Sequence, residues 1–231
     1  MPQDVLENGS FDGGWVEQDG ISQLKVFVPW RVWWKERLPA DPESENFRPE
    51  AAPIDAEGRY RTPPTAQKIW TQFATHTAGL LQGPIIVPAG KQVTFQAYVR
   101  QYSENPDGND GEGMAKIGID PTGGTDPYAE SVVWSEDLWK PYEGFTLMQV
   151  EATSFGAVTV FTYAAWKWPA GTNDTYWDDA KLLWEQGPTP PPSPEDNEVR
   201  LELKVNEQTV YAGLFEVVVS GVVVRPKVVL L

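Results

Sequence analysis

Val93-Thr94-Phe95-Gln96-Ala97-Tyr98-Val99 decides the fold class. Val93, Phe95, Ala97 and Val99 fall on one side of an extended chain, and Thr94, Gln96 and Tyr98 on the other. That two-residue period belongs to a strand with one buried face. Short β-type runs recur at 83–88, 92–100, 115–119, 131–134, 146–152, 157–164 and 175–184, separated by Gly, Pro, Asn and Asp. No stretch carries a 3.6-residue apolar stripe with caps at both ends. Seven or more short strands between turn signals predict an all-β chain, a sandwich or jelly roll. Tyr98 is expected on the solvent side of its strand, where a binding groove could lie.

Composition narrows the function. The 231 residues include 11 Trp, 8 Tyr and 9 Phe, more aromatic surface than one core of this size usually needs, and exposed rings serve recognition. A net charge of −15 with only 18 Lys and Arg argues against nucleic acid, because phosphate binding needs clustered Lys and Arg. It argues equally against an anionic membrane, while favouring solubility and divalent cations. Cysteine is absent, which removes disulfides, thiolate nucleophiles and Cys-based zinc sites. No window of about 18 apolar residues offers a membrane span. Met1-Pro2-Gln3-Asp4-Val5 has neither a basic n-region nor an apolar h-region, so synthesis in the cytoplasm without a signal peptide is expected.

Two irregular insertions, 35–64 and 102–113, interrupt the strands, and loops this long usually carry function or assembly. The stretch 187–194 (GPTPPPSP) reads as a stiff Pro-rich linker between a domain at 1–186 and an appendage at 195–231. In the appendage Val199, Leu201, Leu203 and Val205 alternate cleanly, and 216–231 is almost continuously apolar. Val217, Val218 and Val219 face Val222, Val223 and Val224 across Ser220-Gly221, a tight turn that predicts a hairpin. About 35 residues make too small a core to stand alone. The appendage is therefore expected to bury itself on its own domain or, as the favoured reading, on other subunits.

Asn8-Gly9-Ser10-Phe11-Asp12-Gly13-Gly14-Trp15, together with Tyr176-Trp177-Asp178-Asp179-Ala180-Lys181-Leu182, resembles the paired ends of calcium-containing jelly-roll carbohydrate-binding modules, of the galactose-binding-like β-sandwich kind. Trp33-Trp34, residues 74–80 and the run from Ile117 to Pro127 resemble a poorly characterised bacterial branch of these modules. The resemblance covers about residues 6–185. It implies that the last strand lies close to the first, and that a structural Ca²⁺ sits between them. Glu7 and Asp12 match the opening motif, and Asp178 and Asp179 the closing one. Adjacent strand residues face opposite ways, so one of the Asp pair is expected to be a ligand, with Asp179 favoured. Such modules are normally secreted and fused to enzymes or anchors, and the chain is expected to depart from them in this.

The resemblance also directs attention to rings that could stack on sugars. Trp33, Trp34, Trp70, Tyr98, Trp166 and Trp168 are the candidate glycan-binding residues; an extended Trp166-Lys167-Trp168 would present both indoles to one face. A second calcium loop at 107–118 fails, because Gly and Glu do not fall at the sixth and twelfth positions. His76 is the only histidine and reads as a hydrogen-bonding strand residue. No Gly-x-Ser-x-Gly elbow occurs, and none of the many acidic pairs stands out as catalytic. The chain is therefore expected to be no enzyme. It reads as a structural or adhesion protein of a larger assembly, such as a phage virion surface or tail component, acting in a particle or outside the cell. The alternative is a secreted-type glycan-binding module, and the third reading a glycoside hydrolase.

Overall fold

The computed structural model describes residues 2–104 and 111–184, and the backbone of 204–205, 208–209, 217–219 and 222–224. The linker at 187–194, the turn at Ser220-Gly221, residues 105–110 of the second insertion and most of the appendage lie outside the described residues. The chain divides into two compact units, Met1–Glu185 and Gln186–Leu231.

The first unit is a jelly-roll β-sandwich of two sheets. Its strands are β1 (Gln3–Asp4), β2 (Trp15–Glu17), β3 (Lys25–Phe27), β4 (Arg31–Trp34), β5 (Glu50–Ile54), β6 (Ala66–Thr71) and β7 (Thr77–Ile86). There follow β8 (Gln92–Glu104), β9 (Gly113–Asp120), β10 (Val133–Trp134), β11 (Leu138–Trp139), β12 (Thr146–Thr153), β13 (Ala157–Trp166) and β14 (Thr172–Trp184). One sheet runs β12-β8-β14-β6-β5, and the other β10-β9-β13-β7-β4, all antiparallel. Strand β1 pairs with the far end of β14, setting Gln3 opposite Trp184.

Alternation fills the space between the sheets. Val93, Phe95, Ala97 and Val99 of β8 are fully buried, facing Ile117, Ile119, Val158, Val160 and Leu80 in one core with Trp177 and Leu182 of β14. The insertion at 35–64 holds a strand of its own, β5, lying at the sheet edge where Pro53 is tolerated.

The opening segment docks on the closing strand. Asn8, at φ 48, accepts from Gly13 N through its side-chain oxygen (3.0 Å) and donates to Val28 O (2.8 Å). Its carbonyl takes the indole N–H of Trp30 (3.1 Å). Phe11 is thereby pressed between Phe27 and Trp30, with ring centroids 5.9 and 5.3 Å away. Ala180 N donates to Gly9 O (2.8 Å), and a Cβ on Gly9 would overlap the Ala180 carbonyl oxygen. Glycine is needed there for that close approach.

In the second unit Lys204–Val205 pairs with Gln208–Thr209, and Val217–Val219 pairs antiparallel with Val222–Val224, setting Val218 opposite Val223.

Candidate functional site

Two features that the β5–β6 loop borders carry chemistry. The first is the outer face of the first sheet. Directly opposed residues of an antiparallel pair share a face. Tyr98 stands opposite Asp178, Arg100 opposite Tyr176, and Tyr102 opposite Asp174; on the other side of β14, Lys68 stands opposite Tyr176 and Trp70 opposite Asp174. Rings, cations and carboxylates therefore alternate in a patch across three strands.

The loop between β5 and β6 lies over this patch. Arg59 places its guanidinium 4.2 Å from the Tyr102 ring centroid and 5.2 Å from that of Tyr176; Arg61 sits 3.8 Å from Tyr98. Arg100 donates to Gly58 O and ties the loop down. Lys68 bridges to Asp174 (2.8 Å) and lies 4.6 Å from the Trp70 ring. The Tyr176 hydroxyl donates to Asp174 (2.6 Å), and burial, with that carboxylate beside it, pushes the phenol far above its ordinary range.

Asp178 and Asp179 clamp the same loop. The strand bulges between Asp178 and Lys181, and Asp179 takes a left-handed φ of 46°. The expected opposite facing of the pair is broken by this bulge, so both carboxylates reach Arg61 and Thr62. Asp178 accepts main-chain N–H bonds from Arg61 (2.7 Å), Thr62 (3.0 Å) and Asp179 (2.7 Å). Asp179 pairs with the Arg61 guanidinium and accepts from the Thr62 hydroxyl (2.7 Å). Burial pushes the Asp178 carboxyl up to about 6, against the pull of those N–H bonds.

These occupied oxygens bear on the calcium expectation. Glu7 is exposed and is held through its main chain by Gln82 (2.9 and 2.8 Å), while Asp12 has the Thr65 hydroxyl at 3.5 Å. Among the described residues no three His, Cys, Asp or Glu stand together as a metal-holding group. The Asp178 and Asp179 oxygens are held by Arg61, Thr62 and main-chain N–H groups.

The second feature is a hollow of about 370 Å³ lined by Asp12, Gly13, Trp15, Phe27, Pro53, Asp55, Pro64 and Thr65. Its volume falls within the roughly 300–1,000 Å³ of small-molecule pockets. Trp15 opens the short β2–β3 hairpin opposite Phe27, and remains 47% exposed with Lys25 Nζ 5.2 Å from its ring. The Thr65 hydroxyl donates to Phe11 O, fixing the rim on the opening segment. Asp55 and Pro64 belong to the loop that covers the tyrosines, so one loop borders both features.

The expected sugar-binding rings separate. Trp70 and Tyr98 share the covered face. Trp33 and Trp34, adjacent in β4, face opposite ways. Trp33 is buried on the outer side of the second sheet and donates to Thr162 O (3.1 Å), whereas Trp34 packs on the main core. Trp166 is buried, stacked on Tyr142 at 6.4 Å and 11°, while Trp168, past the end of β13, is 52% exposed. Trp33, Trp34 and Trp166 are thus packing residues, and Trp166 and Trp168 do not share a face, because β13 ends between them. Trp15 was missed, although it closes the opening motif. His76 precedes β7, fully buried with Nδ1 2.9 Å from Thr71 Oγ1, and burial holds it down at about 3.

No protein-family model matches the sequence, and no curated protein does. Among solved structures the chain is similar to TmCBM61 in complex with β-1,4-galactotriose, at TM-score 0.47 and 12% identity, over 79% of this chain and 99% of that one. It is similar to the CBM22-1 xylan-binding domain from Paenibacillus barcinonensis, at TM-score 0.47 and 8% identity, over 81% and 98%. It also resembles the enzymatically active domain of tailspike protein 4 from bacteriophage CBA120, at TM-score 0.42 and 10% identity, over 79% of this chain but only 21% of that one. The structural neighbours of this sandwich include carbohydrate-binding modules of jelly-roll fold.

Proposed function

We propose that the sandwich is a non-catalytic module that binds a neutral glycan in the hollow beside Trp15. One observation carries this reading: a half-exposed indole borders the same hollow as Asp12, Asp55 and the Thr65 hydroxyl. A sugar ring has an apolar C–H face that stacks on an indole, and hydroxyls that need acceptors beside it. The two carboxylates suit hydroxyl donors and repel anions. A panel of neutral oligosaccharides, titrated by calorimetry and Trp fluorescence, tests the reading. Trp15→Ala should weaken the bound sugar at least tenfold, about 1.4 kcal/mol, with the fold retained. A panel that binds nowhere, or binding indifferent to Trp15→Ala, would refute it. Release of new reducing ends would make the protein a hydrolase instead.

The second unit supports a further role, attachment to other subunits in a larger assembly such as a virion surface. Val217–Val219 pairs with Val222–Val224, and every position of both strands is valine. Apolar strand pairs that find no cover associate. The full-length protein should scatter light as an oligomer at micromolar concentration, and Val218→Lys with Val223→Lys should convert it to a monomer. A wild-type monomer under those conditions would end this reading.

A further inference from the structure

We propose a second ligand site, on the outer face of the other sheet, that takes a carboxylated sugar residue. It shares no residue with the Trp15 hollow and does not rest on that reading.

The site is built by β9, β13 and the segment that follows β9. Lys116 stands opposite Tyr163 across the β9–β13 pair, and Trp134 of β10 stands opposite Gly118. A Cβ at position 118 would press into the Trp134 ring, its nearest atom 2.7 Å away, so glycine lets the indole lie against the strand. Trp134 and Tyr163 then meet nearly at right angles, with centroids 5.6 Å apart and planes at 76°. Beneath them Trp33, Phe161 and Val132 form a buried apolar cluster that supports both rings. Tyr128, itself 56% exposed, contacts the Trp33 edge and forms one wall with Pro127. The result is a hollow of about 250 Å³ with aromatic walls.

Lys116 sets the chemistry. Its Nζ lies 4.9 Å from the Trp134 centroid and 4.7 Å from that of Tyr163. The ring faces hold the ammonium in place. Its ion pair with Asp137 spans 3.9 Å, beyond hydrogen-bond reach, and an ammonium carries three donors. An indole, two phenol rings and a cation with donors to spare fit a sugar ring bearing one carboxylate. The ring lies on the aromatic wall and the carboxylate on Lys116. The negative charge of the whole chain does not exclude this, because exposed charges beyond about 8 Å are screened at physiological salt. Asp137 and Asp126 near the rim oppose a dense polyanion, so one carboxylate per ring is preferred over nucleic acid or heavily sulfated chains.

Full-length protein is titrated with galacturonate and glucuronate oligosaccharides and with their neutral counterparts, by calorimetry. The uronate should bind wild type and Trp15→Ala equally well. Lys116→Gln and Lys116→Met should each weaken it at least tenfold, with melting temperatures near wild type and neutral-sugar binding unchanged. Trp134→Leu should weaken it as well. Neutral and carboxylated sugars bound equally, uronate binding untouched by both Lys116 variants, uronate binding lost with Trp15→Ala, or no uronate bound would each overturn the proposal.

Discussion

Trp177→Ala is expected to destabilise the sandwich by about 3–5 kcal/mol, lowering the melting temperature by roughly 10 °C. Trp177 is fully buried in β14, which pairs with β8 along one side and with β6 on the other. Its neighbours across the sheet are Val99 and Gln67. The indole N–H has no hydrogen-bond partner, so the loss on truncation is packing and the cavity left behind, with no polar group orphaned. Trp177→Phe should recover part of the loss, since a ring refills part of the volume. Urea unfolding of the two variants beside wild type checks this; equal midpoints for Trp177→Ala and wild type would remove Trp177 from the core.

Asp178→Ala comes second, at about 2–4 kcal/mol. It strips the acceptor from three main-chain N–H groups, those of Arg61, Thr62 and Asp179, and an unsatisfied buried donor costs about 1–3 kcal/mol. Arg61 and Thr62 are exposed, so water replaces part of what is lost. Asp178→Asn removes the titration and, because both carboxylate oxygens accept N–H bonds, also the acceptor of at least one of them, an offset that does not change with pH. Burial lifts this carboxyl from an ordinary 3.8 to about 6, so the folded protein binds an extra proton between those values. That contribution to stability is complete below pH 3.8 and disappears as pH rises through 6. Asparagine cannot ionise and shows no such decline. The melting-temperature advantage of wild type over Asp178→Asn should therefore shrink from pH 4 to pH 6.5. An advantage that grows with pH would contradict the assignment.

The inward half of β8 was fully legible. Apolar side chains at 93, 95, 97 and 99 demand one buried face, and nothing later in the chain competes with that demand. Tyr98 was correctly placed outward by the same period, which also reaches Arg100 and Tyr102. The covering loop was not legible. Arg59 and Arg61 sit in a polar, aperiodic stretch, and their place over Tyr102 and Tyr98 exists only once Asp178 and Asp179 gather the loop. The strand period itself misled at that pair, because a bulge with a left-handed residue aims both carboxylates one way. Strand β5 escaped notice because an edge strand tolerates Pro53 and needs no strong alternation. Which tryptophans stay open was equally hidden. Gly79 admits the Thr162 carbonyl that takes the Trp33 indole N–H, Gly118 makes room for the Trp134 ring, and Trp15 is left half-exposed at the end of a hairpin opposite buried Phe27.

The pairing of Gln3 with Trp184 has an architectural consequence. The sandwich takes in its chain and lets it out at adjacent points on a single sheet, as a plug has both leads on one side. A unit wired in this way can be spliced into a surface loop of another protein without re-threading a strand. It can equally be circularly permuted, with a short bridge between the neighbouring ends and a new opening in an exposed loop. Its two hollows, one beside the β2–β3 hairpin and one on the second sheet, would travel with it unchanged.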